Sequence, residues 1–148
     1  MSHVRVYLPI SPEDAQRLHR ERSLELDHPG FAVTDAVRTS HPGGDQELWE
    51  YAALQDAAQH CLDTGAPVLV AAADIDPHQV HDSELEGSRV TVAGTLTLPR
   101  VAALHVGDEA LGAETSHDPD AEVELSWYDT TELGHLVSLV GEPPDPKE

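Results

Sequence analysis

Ten histidines and 28 carboxylates give this chain many groups able to do acid–base or metal chemistry. One set follows the longest apolar run: Asp74, Asp76, His78, His81 and Asp82, in the pattern D-x-D-x-H-x-x-H-D. Two aspartates ending a strand could bind a cation or act as acid and base, because strand ends open into crevices in α/β sheets. The two histidines would add nitrogen donors. A metal site, however, needs three or four converging ligands. Contiguous loop residues usually point apart, and no distant ligand presents itself. Asp-Pro is also a common turn. The catalytic candidates are therefore Asp74, Asp76, His78 and His81, set against a plain solvated connection, and neither a metal nor a cofactor is assigned.

A second group stands on strands. Arg5 and Tyr7 share one face of the first apolar stretch, and an arginine beside a tyrosine can clamp a carboxylate or phosphate. The competing reading is a salt bridge to one of the many acids, with the ring lying over the sheet. His105 and Trp127 occupy later strands and complete the candidate ligand-binding residues. There is no G-x-S-x-G, Walker loop, G-x-G-x-x-G or C-x-x-C. That removes the common nucleophile, nucleotide and redox readings.

These residues need a scaffold. The longest apolar run is Pro67 to Asp76, PVLVAAADID. It is apolar at every position up to Ala73, which predicts a central strand covered on both faces. Val4, Val6 and Leu8 alternate with Arg5 and Tyr7, giving a first strand ended by Pro9. Ser11, Pro12, Glu13 and Asp14 start a helix: the serine caps, the proline suits the first turn, and the acids meet the positive end of the dipole. Ala15, Leu18 and Leu26 are its plausible core contacts. His28-Pro29-Gly30 reads as a turn, and Phe31 to Val33 as a short extended piece. Thr34 caps a short helix from Asp35 to Ser40.

Asp45 caps the best helix, Gln46 to Asp63. At about 100° per residue, Leu48, Tyr51, Ala52, Leu54, Ala58, Cys61 and Leu62 fall within one half of the wheel. Glu50, Asp56, Gln59, His60 and Asp63 take the other side. Trp49 is expected to pack, and Cys61 to be a small buried hydrophobe. His78 to Gly87 reads as a polar connection. Val90, Val92, Leu96 and Leu98 keep a period of two, with Gly94 as a bulge or bend. Val101 to Val106 follows, and the natural pairing is an antiparallel hairpin. A helical turn from Asp108 to Ala113 and a loop from Thr115 to Asp120 lead to a strand on Val123, Leu125 and Trp127. Asp129 to Glu132 then starts a helix carrying Leu133, Leu136, Val137 and Val140.

The 148 residues fit one domain, residues 1–142, followed by a disordered tail, residues 143–148. The net charge is −20, with 28 acids against eight lysines and arginines. Such a field repels phosphate backbones, so direct nucleic-acid binding is not expected, and it favours a cationic partner. The acids are dispersed, whereas a mimic of nucleic acid should carry them in rows. A single cysteine rules out an internal disulfide and suits a reducing compartment. No run approaches the roughly 18 apolar residues of a membrane span, and the N-terminus lacks signal-peptide features. A cytoplasmic protein without membrane contact is expected.

Several stretches carry a resemblance. VRVYLPI, then FAVTDAVR followed by ELWEYAAL, then PVLVAAADI, VAALHVGD and LSWYDTTELGHL resemble a family of small actinobacterial proteins of unknown function. These typically begin M-R-V-Y-[LI]-P and carry A-V-T-P-x-L-R before an E-Y-A-A-L helix. Here Asp35 stands where that family often has proline. The resemblance spans nearly the whole chain and implies a shared fold, but no activity.

The expected fold is a single α+β domain, with a mixed or mostly antiparallel sheet of about five strands and helices packed on it. The leading functional expectation is a non-enzymatic protein-interaction or regulatory module with a protein partner. The alternative is a small hydrolase or metal-dependent enzyme using Asp74, Asp76 and nearby histidines. An acidic nucleic-acid mimic ranks third.

Overall fold

The computed structural model describes residues 3–65, 68–82, 88–107 and 125–140. Along the chain run β1 (Val4–Pro9), α1 (Pro12–Glu21), β2 (Ser23–Ala32), α2 (Asp35–Ser40), α3 (Gln46–Asp63) and β3 (Leu69–Ile75). They are followed by β4 (Val80–Asp82), β5 (Arg89–Thr97), β6 (Val101–Gly107), β7 (Leu125–Tyr128) and α4 (Leu133–Val140). Among the described residues the strands form one seven-stranded sheet in the order β4-β5-β2-β1-β3-β6-β7. All its described pairings are antiparallel. The α+β class is as expected, but the described residues alone form seven strands where about five were expected.

Helix starts follow their side chains. The Ser11 hydroxyl accepts from the Asp14 backbone N–H at 3.0 Å, and the Asp14 carboxylate accepts from the Ser11 N–H at 3.2 Å. That reciprocal pair satisfies two donors which the first helical turn leaves unpaired. Thr34 and Asp45 cap α2 and α3 through the N–H groups of Val37 and Leu48. Asp129 caps a single 3-10 turn, Thr130–Glu132, that leads into α4.

Two strands depart from expectation. The first helix does not run on to Leu26, because Arg22 adopts the left-handed conformation, with φ 62°, and ends it. The chain then stays extended through Ser23–Ala32 and pairs with β5 from Ser23↔Thr97 to Phe31↔Arg89. His28-Pro29-Gly30 is therefore strand, not turn. Proline is tolerated there because β1 pairs with β2 only at Val6↔Ala32 and Tyr7↔Phe31, so Pro29 needs no N–H for that side. Gly30 is there for space: a Cβ on it would stand 2.7 Å from Val6 Cγ1. The second surprise is β4, within the stretch read as a polar connection. Val80, His81 and Asp82 pair with Val92, Thr91 and Val90. Three residues are too few for an alternation to show.

The expected hairpin between β5 and β6 does not form. A 3-10 turn, Leu98–Arg100, carries the chain away, and β6 pairs with β3 and β7 instead. Gly94 has φ 106° but makes no register break, since Leu26↔Gly94 sits within a continuous ladder.

The apolar run is covered on both faces, as its composition implied. Leu69, Ala71, Ala73 and Ile75 join one core with Val6, Leu8 and Leu104 under Leu18 of α1 and Leu133 and Leu136 of α4. Val70 and Ala72 join a second core with Tyr7 and Phe31 under α3. The strand is internal, although β1 occupies the middle of the order. The α3 helix contributes Ala53, Ala57, Ala58 and Cys61 to its buried face. Leu48 and Tyr51, expected there, are 44% and 40% exposed. Alanines allow closer approach to Ala72 than leucines would, so the helix presents its small side chains to the sheet. Cys61 is buried and Trp49 half-buried, its indole N–H donating to the His41 carbonyl at 3.0 Å.

Among the described residues no helix is long and apolar enough to cross a membrane. The expected helical turn at Asp108 to Ala113, the loop at Thr115 to Asp120, Val123 and the tail at 143–148 lie outside the described residues.

Candidate functional site

Strand alternation places Arg5 of β1 and Asp74 of β3 on the α3 side of the sheet, directly opposite each other in the register. Arg5 Nε donates to Asp74 Oδ1 at 2.7 Å, and Nη2 to Oδ2 at 3.3 Å. The side chains are 36% and 40% exposed, so the pair is only partly shielded from water. The hydrogen bond to Asp74 raises the Arg5 pKa above its already high ordinary value, against the opposing effect of burial.

Tyr7 lies one step inward, paired with Ala72. Burial pushes its phenol pKa up, and the Glu50 carboxylate adds to the effect. Its ring centroid is 6.4 Å from that of His105, tilted by 59°. Burial holds the His105 imidazole below its ordinary pKa, and the positive charge of Arg5 acts in the same direction. His105 pairs with Val70 on one side and Trp127 on the other. Arg5, Tyr7, His105 and Trp127 thus share one side of the sheet. Tyr7 and Trp127 both neighbour His105, Tyr7 through its ring and Trp127 as its cross-strand partner, and Trp127 is 61% exposed on β7, the last strand in the described order.

A cavity of about 480 Å3 opens above the Arg5–Asp74 pair. Arg38 from α2, Gln46 and Glu50 from α3, and Val4, Val33 and His3 complete its lining. Glu50 Oε2 accepts from Gln46 Nε2 at 2.9 Å. Arg38 Nη1 donates to Asp35 at 2.9 Å, and its guanidinium carbon lies 5.8 Å from the centre of the Trp49 ring.

The aspartate–histidine stretch does not assemble. Asp74 is engaged by Arg5, whereas Asp76 caps the 3-10 turn Pro77–Gln79. Asp76 Oδ1 accepts from the His78 backbone N–H at 2.9 Å and lies 3.0 Å from His78 Nδ1. The backbone bond first, then the imidazole, hold the Asp76 carboxyl below its ordinary pKa. His78 is exposed, and His81 is exposed on β4 with its carbonyl accepting from Thr91 Oγ1. Among the described residues no group of three or more His, Cys, Asp or Glu could hold a metal ion. The Cys61 thiol is buried and pushed above its ordinary pKa by that burial.

Glu50 and Arg38 were not singled out from sequence. Glu50 was assigned to the polar half of α3. The available signal was the spacing of Gln46, Glu50, Ala53, Ala57 and Cys61, which recur every three or four residues as one stripe. Small residues along that stripe mark the side that approaches the sheet.

Apart from His3 and Gln46, the lining residues come from the segments VRVYLPI, FAVTDAVR, ELWEYAAL and PVLVAAADI. A model of a family of unknown function, DUF6912, matches residues 4–137, from β1 into α4. The chain belongs to that family. The DUF6912 match thus includes every residue lining the cavity except His3. No curated protein and no solved structure matches the chain.

Two measurements probe this site. Asp74→Ala leaves a half-buried guanidinium without its two-point partner. Exposed pairs contribute up to about 1 kcal/mol, and breaking a buried pair costs about 3–5 kcal/mol. For this partly shielded pair we expect a loss of about 1–2 kcal/mol in urea denaturation. In a double-mutant cycle with Arg5→Ala, additive losses would show that the two side chains do not interact.

His105 supplies a pH dependence. Its folded pKa is depressed, so the folded state favours the neutral ring. The associated stability is fully present above the ordinary value of about 6.5 and is lost as pH falls through the folded pKa. Relative to His105→Gln, the wild type should therefore lose stability as the pH falls below the ordinary imidazole value of about 6.5. Taking the difference between the two proteins removes the common effect of the many carboxylates. A difference that stays constant with pH would rule the effect out.

Proposed function

We propose that the protein is a non-enzymatic cytoplasmic interaction module that presents the α3 side of its sheet to a cationic protein partner. The observation that carries this reading is the placement of Leu48, Tyr51 and Trp127, which are large, apolar and exposed. The contact between His60 and Phe31, at 5.7 Å, sets one flank of α3 over β2. Tyr51 lies on the opposite flank with Leu54, Ala58 and Leu62, so it looks toward β3 and the β6–β7 strip that carries Trp127. Apolar surface of this kind, on a chain of net charge −20, suits a partner segment that is both apolar and basic.

The engagement of both Asp74 oxygens by Arg5, and of Asp76 by its own turn, favours binding over the alternative of a hydrolase or metal-dependent enzyme. The sequence blocks quoted above further suggest that the family is one of small actinobacterial proteins.

The test is affinity capture from native lysate with wild type and with a Tyr51→Ser/Trp127→Ser variant whose circular dichroism is unchanged. A stoichiometric basic partner held by the wild type, released by salt and lost by the variant is the expected result. Recovery of no such partner, or equal recovery by both proteins, would overturn the proposal.

A further inference from the structure

We propose that the cavity framed by β1, β3, α2 and α3 binds a small zwitterion of the α-amino acid class, its carboxylate against Arg38 and its ammonium against Glu50. The inference stands apart from the docking surface, because the cavity is built from different residues than Leu48, Tyr51 and Trp127.

Charge selects the ligand. The cavity presents two guanidiniums, Arg5 and Arg38, and two carboxylates, Glu50 and Asp74. Arg5 and Asp74 are closed on each other by two hydrogen bonds and form a neutral floor. Arg38 and Glu50 are less committed. The described ion partner of Arg38 is Asp35, an exposed neighbour on the same helix, and such solvent-exposed i,i+3 pairs are weak. Glu50 accepts from Gln46, a neutral amide. A simple cation would meet two arginines, and a simple anion would meet two carboxylates on a strongly acidic chain. A molecule carrying one charge of each sign satisfies both groups at once.

Size and rigidity agree. About 480 Å3 falls within the roughly 300–1,000 Å3 of small-molecule pockets, toward the lower end. The Arg38 guanidinium carbon lies 5.8 Å from the centre of the Trp49 ring, whose N–H is in turn anchored on His41, and a cation–π contact of this kind restricts the guanidinium before the ligand arrives. Val33 adds an apolar side chain to the lining, which suits a short side chain on the ligand.

The test is a 1H–15N NMR titration of the wild-type protein with the twenty common amino acids, paired with calorimetry on those that shift resonances. At least one amino acid should shift Val33, Arg38 and Glu50 saturably. Its N-acetyl and amide derivatives should each bind at least about tenfold more weakly, because each lacks one charge-assisted set of hydrogen bonds. Glu50→Gln and Arg38→Gln should weaken binding by a similar factor. No saturable shift with any amino acid would overturn the proposal, as would derivatives that bind equally well. The derivative comparison uses the wild type alone, so it decides the matter even where a variant fails to fold.

Discussion

Replacing Leu136 with alanine should cost the fold about 2–5 kcal/mol, while the cavity beneath α3 keeps its geometry. Leu136 is fully buried and packs in the core shared by Leu133, Leu18 of α1 and the inner face of β1 and β3. The eight residues of α4 are too few to hold a helix without such packing. Truncation removes both the transferred apolar area and the contacts around the void left behind. The cavity lies on the opposite side of the sheet, so the amide resonances of Arg5, Asp74 and Glu50 should barely move. Urea denaturation and a 1H–15N spectrum test both halves. A loss below about 1 kcal/mol would mean that α4 does not close this core.

Ala72→Leu should show the reverse pattern: a loss of about 1–3 kcal/mol together with large shifts at Glu50 and Arg5. Ala72 is buried in the core formed with Ala53, Ala57 and Ala58 of α3. A leucine there has no room unless the helix lifts, and lifting α3 carries Glu50 and Gln46 away from the Arg5–Asp74 floor. Ala71→Leu is the matched control. It overpacks the face toward α1 and α4, and should destabilise without disturbing Glu50. Identical spectral changes in the two variants would contradict a separation of the cores by the sheet.

Much of the scaffold was legible because its signals are local. Asp45 and the residues after it specified a helix whose observed span, Gln46–Asp63, is the expected one. Ser11 with Pro12, and Thr34, marked the other helix starts through backbone donors they alone can satisfy. The all-apolar composition of Leu69 to Ala73 announced burial on both faces.

What was missed depends on pairing across long distances. Ser23–Ala32 alternates only over its first five residues and then contains Pro29 and Gly30, yet β5 holds it as a strand over nearly its whole length. Val80–Asp82 is a strand only because β5 offers an edge. The choice of β3 rather than β5 as the neighbour of β6 has no local signature at all. The same limit applies to the site. Arg5 and Asp74 could each be noted, but nothing local pairs residues 69 positions apart. The helix face of Glu50 was misassigned because bulky apolar residues were weighted above alanines. In this chain the alanines approach the sheet and the leucine and tyrosine remain outside.

The position of β1 bears on how the chain can fold as it is synthesised. The first strand made is also the middle one, flanked by β2 and β3. It can meet β2 early, but over only two registered pairs, Val6↔Ala32 and Tyr7↔Phe31. Its fuller ladder, from Val4↔Ile75 to Pro9↔Val70, awaits the emergence of residue 75. At about 5–20 residues per second, β1 then spends seconds outside the ribosome with one long edge unpaired. Non-local strand pairing of this kind slows folding. A nascent chain of this protein therefore passes through a window in which its future centre has one edge without its partner strand.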